Sequence, residues 1–201
     1  MESNTKKPNV AVIIPCYKAL GKIEKVIEGL LDTFRRINEL YNYKLIIIND
    51  ACPDFSTKNI VENNFLKIIN NKFNIGVGGS TLKGIIYALE NKFDVIIKID
   101  ADGQHPPIYL TELIKYILSL PEYKLFLTKG TRYKIRFNSD YVPFIRRLGT
   151  LFLDPIARAA LGYRGLSDVT NGFFGMNSTC ASILVKTKSG SKIRSRYLFE
   201  S

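Results

Sequence analysis

The sequence predicts a single α/β domain built on a mainly parallel sheet flanked by helices. Three observations predict it: short apolar runs recur along the chain, amphipathic stretches of helical period lie between them, and the intervals suit helical crossovers better than hairpins. A chain of 201 residues that is 46% hydrophobic can bury one sizeable core.

The elements follow in order. Val10–Pro15 is a continuous apolar run ending at proline, as in a strand buried on both faces. From Ile23 onward, Val26, Ile27, Leu30, Leu31 and Phe34 recur every three or four positions with Lys and Glu between them, which predicts a helix. Tyr43–Ile48 reads as the second strand, Thr57–Phe65 as a helix and Lys67–Ile69 as a short third strand. Gly78–Leu89 is helical in pattern, Val95–Ile99 is a fourth strand, and Pro107–Leu118 starts a helix with proline in its first turn. Further on, Leu148, Leu151, Phe152 and Ile156 repeat with helical spacing, which fits an amphipathic helix resting on a membrane surface. For the aromatic residues Tyr141, Phe144 and Phe152, core packing competes with contact to an acyl chain.

No apolar run approaches the roughly 18 residues of a membrane span. The polar start, Met1–Pro8, lacks the apolar middle of a secretory signal, so the expected location is the cytoplasm, with a peripheral position at the inner face of the membrane. Cys16, Cys52 and Cys180 are odd in number and far apart, which suits reduced thiols. The net charge is +11, and most of the excess lies after residue 120, where 14 basic side chains face 5 acidic ones. That asymmetry fits an anionic partner (phosphate, nucleic acid or a lipid surface) or a merely basic solvated face.

Parallel sheets of this kind bind ligands beyond the carboxyl ends of their strands. Three clusters fall there: Pro15-Cys16-Tyr17, Asn49-Asp50 and Asp100-Ala101-Asp102. The segment Lys98-Ile-Asp-Ala-Asp-Gly-Gln-His-Pro-Pro107 is the most informative. Asp100 and Asp102, one residue apart past a buried strand, can both reach a cation if the chain turns, and Gly103 permits the turn. Mg²⁺ or Mn²⁺ held there keeps positions open for phosphate oxygens, and Gln104 can add a neutral oxygen. A turn rich in Asp and Gly is the plainer alternative. Asp50 can accept from a base N–H or a ribose hydroxyl, whereas Asp54 suits a turn or cap near Ser56. Asn74-Ile-Gly-Val-Gly-Gly-Ser80 opens the third helix, as a phosphate contact or a simple loop-to-helix turn. His105, the only histidine, excludes a histidine-based triad or a multi-histidine metal site, and packing beside the acidic loop is its expected job. The basic second part offers Arg132, Arg136, Arg146, Arg147 and Arg158, whose forks suit phosphate.

These strings, with Gly130-Thr-Arg-Tyr133, Arg146-Arg147 and Asp168-Val-Thr-Asn-Gly-Phe173, resemble inverting glycosyltransferases of family two. The branch most resembled is that of the polyprenyl-phosphate sugar synthases, of the dolichyl-phosphate mannose synthase type. The resemblance implies a GT-A (Rossmann-like) fold over 1–201, cut short at its carboxyl end, and metal-dependent transfer of a sugar from a UDP- or GDP-sugar to polyprenyl phosphate or a glycan. It implies that Asp50 contacts the base, that Asp100, Asp102 and Gln104 gather Mg²⁺ or Mn²⁺ and diphosphate, and that Pro15, Tyr17, Asn74, Gly76, Lys83 and Ala101 belong with them to the substrate-binding set. Arg132 and Arg147 would face the acceptor phosphate, Asp168 would lie near the acceptor, and Asp102, Asp168 and Arg132 would form the catalytic set. A lipid phosphate needs positioning more than a base; a hydroxyl acceptor would need one, and Asp168 or Glu200 could serve. Phe174 and Lys18–Leu20 depart from the branch, which often has arginine and Asn-Glu at these places. A nucleotide-sugar-binding module without turnover is the competing reading; the acidic loop and the lack of a nucleic-acid motif speak against nucleic acid.

Overall fold

The computed structural model describes residues 7–121, 127–129 and 172–189. In chain order the elements are β1 (Asn9–Cys16), α1 (Ile23–Arg35), β2 (Asn42–Asn49), β3 (Leu66–Asn70), α2 (Gly76–Glu90), β4 (Val95–Lys98), α3 (Tyr109–Leu118), β5 (Leu127–Lys129), β6 (Phe174–Asn177) and α4 (Ser178–Ser189). The strands form one six-stranded sheet in the order β3-β2-β1-β4-β6-β5. β1 pairs in parallel with β2 and β4, and β2 with β3. β6 runs antiparallel to both β4 and β5, a reversal the apolar pattern alone does not announce.

The alternation of side chains along a strand divides β1 between two cores. Val10, Val12 and Ile14 face one side, with Leu45, Ile47, Val95 and Ile97 beside them. There they meet Ile23, Val26, Leu30 and Phe34 of α1 and Leu110, Ile114 and Ile117 of α3. Ala11 and Ile13 face the other side with Ile46, Ile48 and Ile96, against Ile85 and Ala88 of α2 and Ala181 of α4. Helices therefore cover both faces, which is why β1, β2 and β4 read as unbroken apolar runs. Phe34 stacks on Tyr43 with ring centroids 4.0 Å apart, and Tyr43 on Phe65 at 5.1 Å, tying α1 to the outer part of the sheet. Among the described residues no helix is long and apolar enough to cross a membrane.

One expected helix is absent. Thr57–Phe65 forms turns and an isolated bridge from Asn63 to Leu66. Its polar side chains bond to nearby backbone: Asn63 Oδ1 accepts from Phe65 N at 2.8 Å, and Glu62 Oε1 accepts from Ile68 N at 2.7 Å. Such local bonds offer the backbone an alternative to the helical ladder. The helix expected from Pro107 starts instead at Tyr109, after a turn in which Leu110 N donates to Pro107 O at 2.9 Å.

Helix α2 lies close on the sheet because Gly84 has no side chain: a Cβ there would overlap Ile13. Gly84→Val should destabilise the protein by about 1–3 kcal/mol through overpacking, seen as a lower urea midpoint at unchanged slope. Gly78→Ala, in the same helix with open space around it, should leave the midpoint unchanged or slightly raised.

Candidate functional site

Strands β1, β2 and β4 end at the same edge, where the chain departs through Tyr17, Asp50 and Asp100. Between these departures lies a cleft of about 460 Å³. Of the residues expected to bind substrate or metal, Pro15, Tyr17, Asp50, Asp100, Ala101 and Asp102 line it together. Lys18, Lys22, Lys98, Val77 and Gly172 complete much of the wall.

Asp100 follows β4 by two residues and is held between Lys98 and His105. Lys98, only 4% exposed, gives its ammonium to Asp100 Oδ1, and His105 Nε2 lies 3.5 Å from Oδ2. Burial works against ionisation of this carboxyl, but the hydrogen bond from His105 and the nearby Lys98 ammonium outweigh it and hold its pKa down to about 2. His105 is buried and stacks on Phe173, with centroids 5.6 Å apart. It packs beside the acidic loop, as expected. Gly172 closes over the ion pair so tightly that a side chain there would collide with both Asp100 and the Lys98 Nζ.

The turn after Asp100 is an Asx-type turn: Asp102 Oδ1 accepts from Gln104 N at 3.0 Å, and Gly103 takes φ 78°. This aims Asp102 into the cleft. Gln104 is half-buried and does not line it.

Asp50 is 2% exposed, and its Oδ1 accepts from Asn71 Nδ2 at 2.8 Å and from Ile75 N at 2.9 Å. Asn71 also donates to Ser80 Oγ at 3.0 Å, and Lys83 Nζ donates to Asn71 Oδ1 at 2.9 Å. Lys83 thus lies behind Asp50, steadying the loop that carries it, and Asn74 is an exposed turn residue whose Oδ1 accepts from Gly76 N at 3.0 Å. Asn74, Gly76 and Lys83 do not line the cleft. Gly76 adopts φ 78° at the first position of α2. Asp54 is a turn residue: Oδ1 accepts from Ser56 and Oδ2 from Leu20 N at 3.1 Å, joining the loops after β1 and β2. All three cysteines are free, and burial, followed by the neighbouring Cys52, pushes the Cys16 thiol up to about 12.

Lys98, Asn71, Ser80 and Gly172 are site residues the sequence reading did not select. The signal available for Lys98 was a lysine closing an otherwise apolar strand. Arg132, Arg136, Arg146, Arg147, Arg158, Asp168, Glu200 and the amphipathic stretch 148–156 lie outside the described residues.

Mg²⁺ or Mn²⁺ fits the donor set present: two carboxylates on one cleft, the harder oxygen ligands these ions prefer. Among the described residues no group of three or more His, Cys, Asp or Glu side chains converges on a point, so two protein carboxylates would leave further coordination positions to ligand oxygens and water.

The family model described as glycosyl transferase family 2 matches residues 11–177. The chain belongs to glycosyl transferase family 2. As a family 2 chain it is similar to a dolichol-phosphate mannosyltransferase of Pyrococcus furiosus, at 26% identity over 83% of this chain and 46% of that protein. It is also similar to a UDP-N-acetylglucosamine–dolichyl-phosphate N-acetylglucosaminyltransferase of Methanococcus voltae, at 27% identity over 87% of this chain and 72% of that protein. Its fold is similar to that of a glucosyl-3-phosphoglycerate synthase from Mycobacterium tuberculosis, with TM-score 0.61 and 15% identity over 86% of this chain and 56% of that one. The fold is thus the expected GT-A type. The match spans 46% of the length of the Pyrococcus relative and 72% of that of the Methanococcus one.

The Asp100 carboxyl sits below its ordinary value of 3.8 when folded. Its contribution to stability is therefore present above about pH 4 and lost as pH falls from there towards 2, amounting to roughly 2 kcal/mol. Urea unfolding between pH 5 and 2 should show this loss in the wild type, and Asp100→Asn should show a shallower acid limb.

Proposed function

We propose that this family 2 chain carries the donor site of an inverting glycosyltransferase that moves a sugar from a UDP- or GDP-sugar to polyprenyl phosphate, assisted by Mg²⁺ or Mn²⁺, at the cytoplasmic face of a membrane. The observation that carries the reading is the convergence of Asp50, Asp100 and Asp102 on one cleft at the carboxyl edge of the sheet. The names of the Pyrococcus and Methanococcus relatives, both transferases to dolichyl phosphate, support the acceptor class. The Mycobacterium structure of similar fold was determined with Mn²⁺ and UDP.

In this reading the nucleoside lies against Tyr17 and Asp50, and the diphosphate runs towards Asp102. Asp102 and Asp100 hold the divalent ion, which when bound supplies charge neutralisation for the departing nucleoside diphosphate. A phosphate oxygen of the acceptor attacks the anomeric carbon from the opposite face, the bond from that carbon to the diphosphate oxygen breaks, and the configuration inverts. An acceptor that is already an anion needs no general base, so alignment is the main demand on the protein. Arg132 and Arg147 are assigned to that acceptor phosphate and Asp168 to the acceptor side.

Asp102→Asn should abolish Mn²⁺-dependent binding of UDP or GDP while leaving the thermal unfolding temperature within a few degrees of wild type. Calorimetry with each nucleotide, with and without Mn²⁺, measures it; an unchanged affinity in the variant refutes the reading.

A further inference from the structure

Lys98 has no role in the donor site as described so far, and its position is costly. An ammonium buried to 4% exposure gives up hydration that only a close anionic partner restores. The three residues before it in β4, Val95, Ile96 and Ile97, are apolar and buried, so a fourth apolar side chain would simply have continued the strand. Lys98 instead ends β4 opposite Ile13 of β1 and Phe174 of β6, at the mouth of the cleft. Its ammonium is bonded to Asp100 Oδ1, and the residue also lines the cleft that Asp100 and Asp102 share. The pair is closely enclosed on one side. Gly172 presses on both partners from the strand β6 side, and His105 takes the other oxygen of Asp100.

The consequence concerns charge. The loop carries two carboxylates, but one of them already has a buried positive partner in the unliganded chain. Among the described residues Asp102 has no such cation: its Oδ1 accepts from the Gln104 backbone N–H. We propose that Lys98 is a positioning residue, a resident cation that occupies Asp100 in the unliganded chain, so that Asp102 alone recruits the divalent ion and the ion enters together with the nucleotide diphosphate. This rests on the donor-site reading above. The same ammonium faces the path of the diphosphate, so it lowers the repulsion that two bare carboxylates would present to an incoming polyanion. A salt bridge that served only to hold the loop would be sealed away from the cleft; this one forms part of its wall.

The test uses the full chain and two binding measurements made apart from activity. Free Mn²⁺ is titrated by electron paramagnetic resonance without nucleotide, and UDP and GDP are titrated calorimetrically in the presence of EDTA. Lys98→Met should bind Mn²⁺ alone roughly tenfold more tightly than wild type and the nucleotide alone roughly tenfold more weakly, the scale expected for removing one charge at contact distance. In the double variant Lys98→Met with Asp100→Asn the gain in Mn²⁺ affinity should vanish. A purely structural lysine would lower both affinities or neither, so unchanged or weaker Mn²⁺ binding by Lys98→Met overturns the proposal. Should circular dichroism show that Lys98→Met does not fold, Asp100→Asn decides: it releases the ammonium to the diphosphate, so nucleotide affinity in EDTA should rise severalfold, and no rise overturns the proposal. If wild type binds neither nucleotide even with Mn²⁺, the donor-site reading fails, whereas the Mn²⁺-only comparison still reads the hold of Lys98 on Asp100.

Discussion

A parallel sheet buried on both faces can place polar chemistry only where its strands run out, and in this chain that constraint falls hardest on Asp100. The carboxyl lies two residues beyond the fully buried strand β4, where desolvation favours the neutral acid. Lys98 and His105 keep it ionised. The rest of the edge is arranged around this: the Asx turn that aims Asp102, the glycine that leaves room for the ion pair, and the stacking of His105 on Phe173. Ionised but partly neutralised, Asp100 allows two acids to sit one residue apart without forcing the loop open.

The second anchor of the edge works by hydrogen bonds from neutral donors. Asp50 is more deeply buried than Asp100, yet its recorded partners are an amide side chain and a backbone N–H, with Asn71 linking it to Ser80 and Lys83 of α2. Asp50 is thus fixed by directed hydrogen bonds, and Asp100 by charge. The difference suits the partners proposed for each, since a base or ribose is recognised by directed hydrogen bonds and a diphosphate by electrostatics.

Much of the fold was legible because burial on both faces leaves a signature that needs no long-range information. The runs at 10–15, 43–48 and 95–99 became β1, β2 and β4, and the stripe from Ile23 to Phe34 became α1. The segment 57–65 misled because its composition permits a helix while Glu62 and Asn63 bond to backbone nearby, a choice decided by geometry and not by periodicity. β6 left no trace, since Phe-Gly-Met-Asn has no alternation and its place between β4 and β5 is set by pairing with residues far away in sequence. In the site, the acids were legible from their spacing past a strand. Lys98 was not: a lysine beside a loop ordinarily reads as solvated, and its enclosure depends on the packing of Asp100 and of Gly172, distant in sequence, against it.

The insertion of β6 between β4 and β5 also bears on how the molecule is made. β1 to β4 are complete by Lys98, yet the free edge of β4 stays open until Phe174–Asn177 has been synthesised and has turned back against it. Until then none of the described elements pairs with that edge, and an unpaired apolar strand edge is a site for pairing with other chains. The wall that Gly172 lends to the cleft arrives in the same late event. The covering of the β4 edge and the closing of this wall therefore belong to one late step in translation of the matched region.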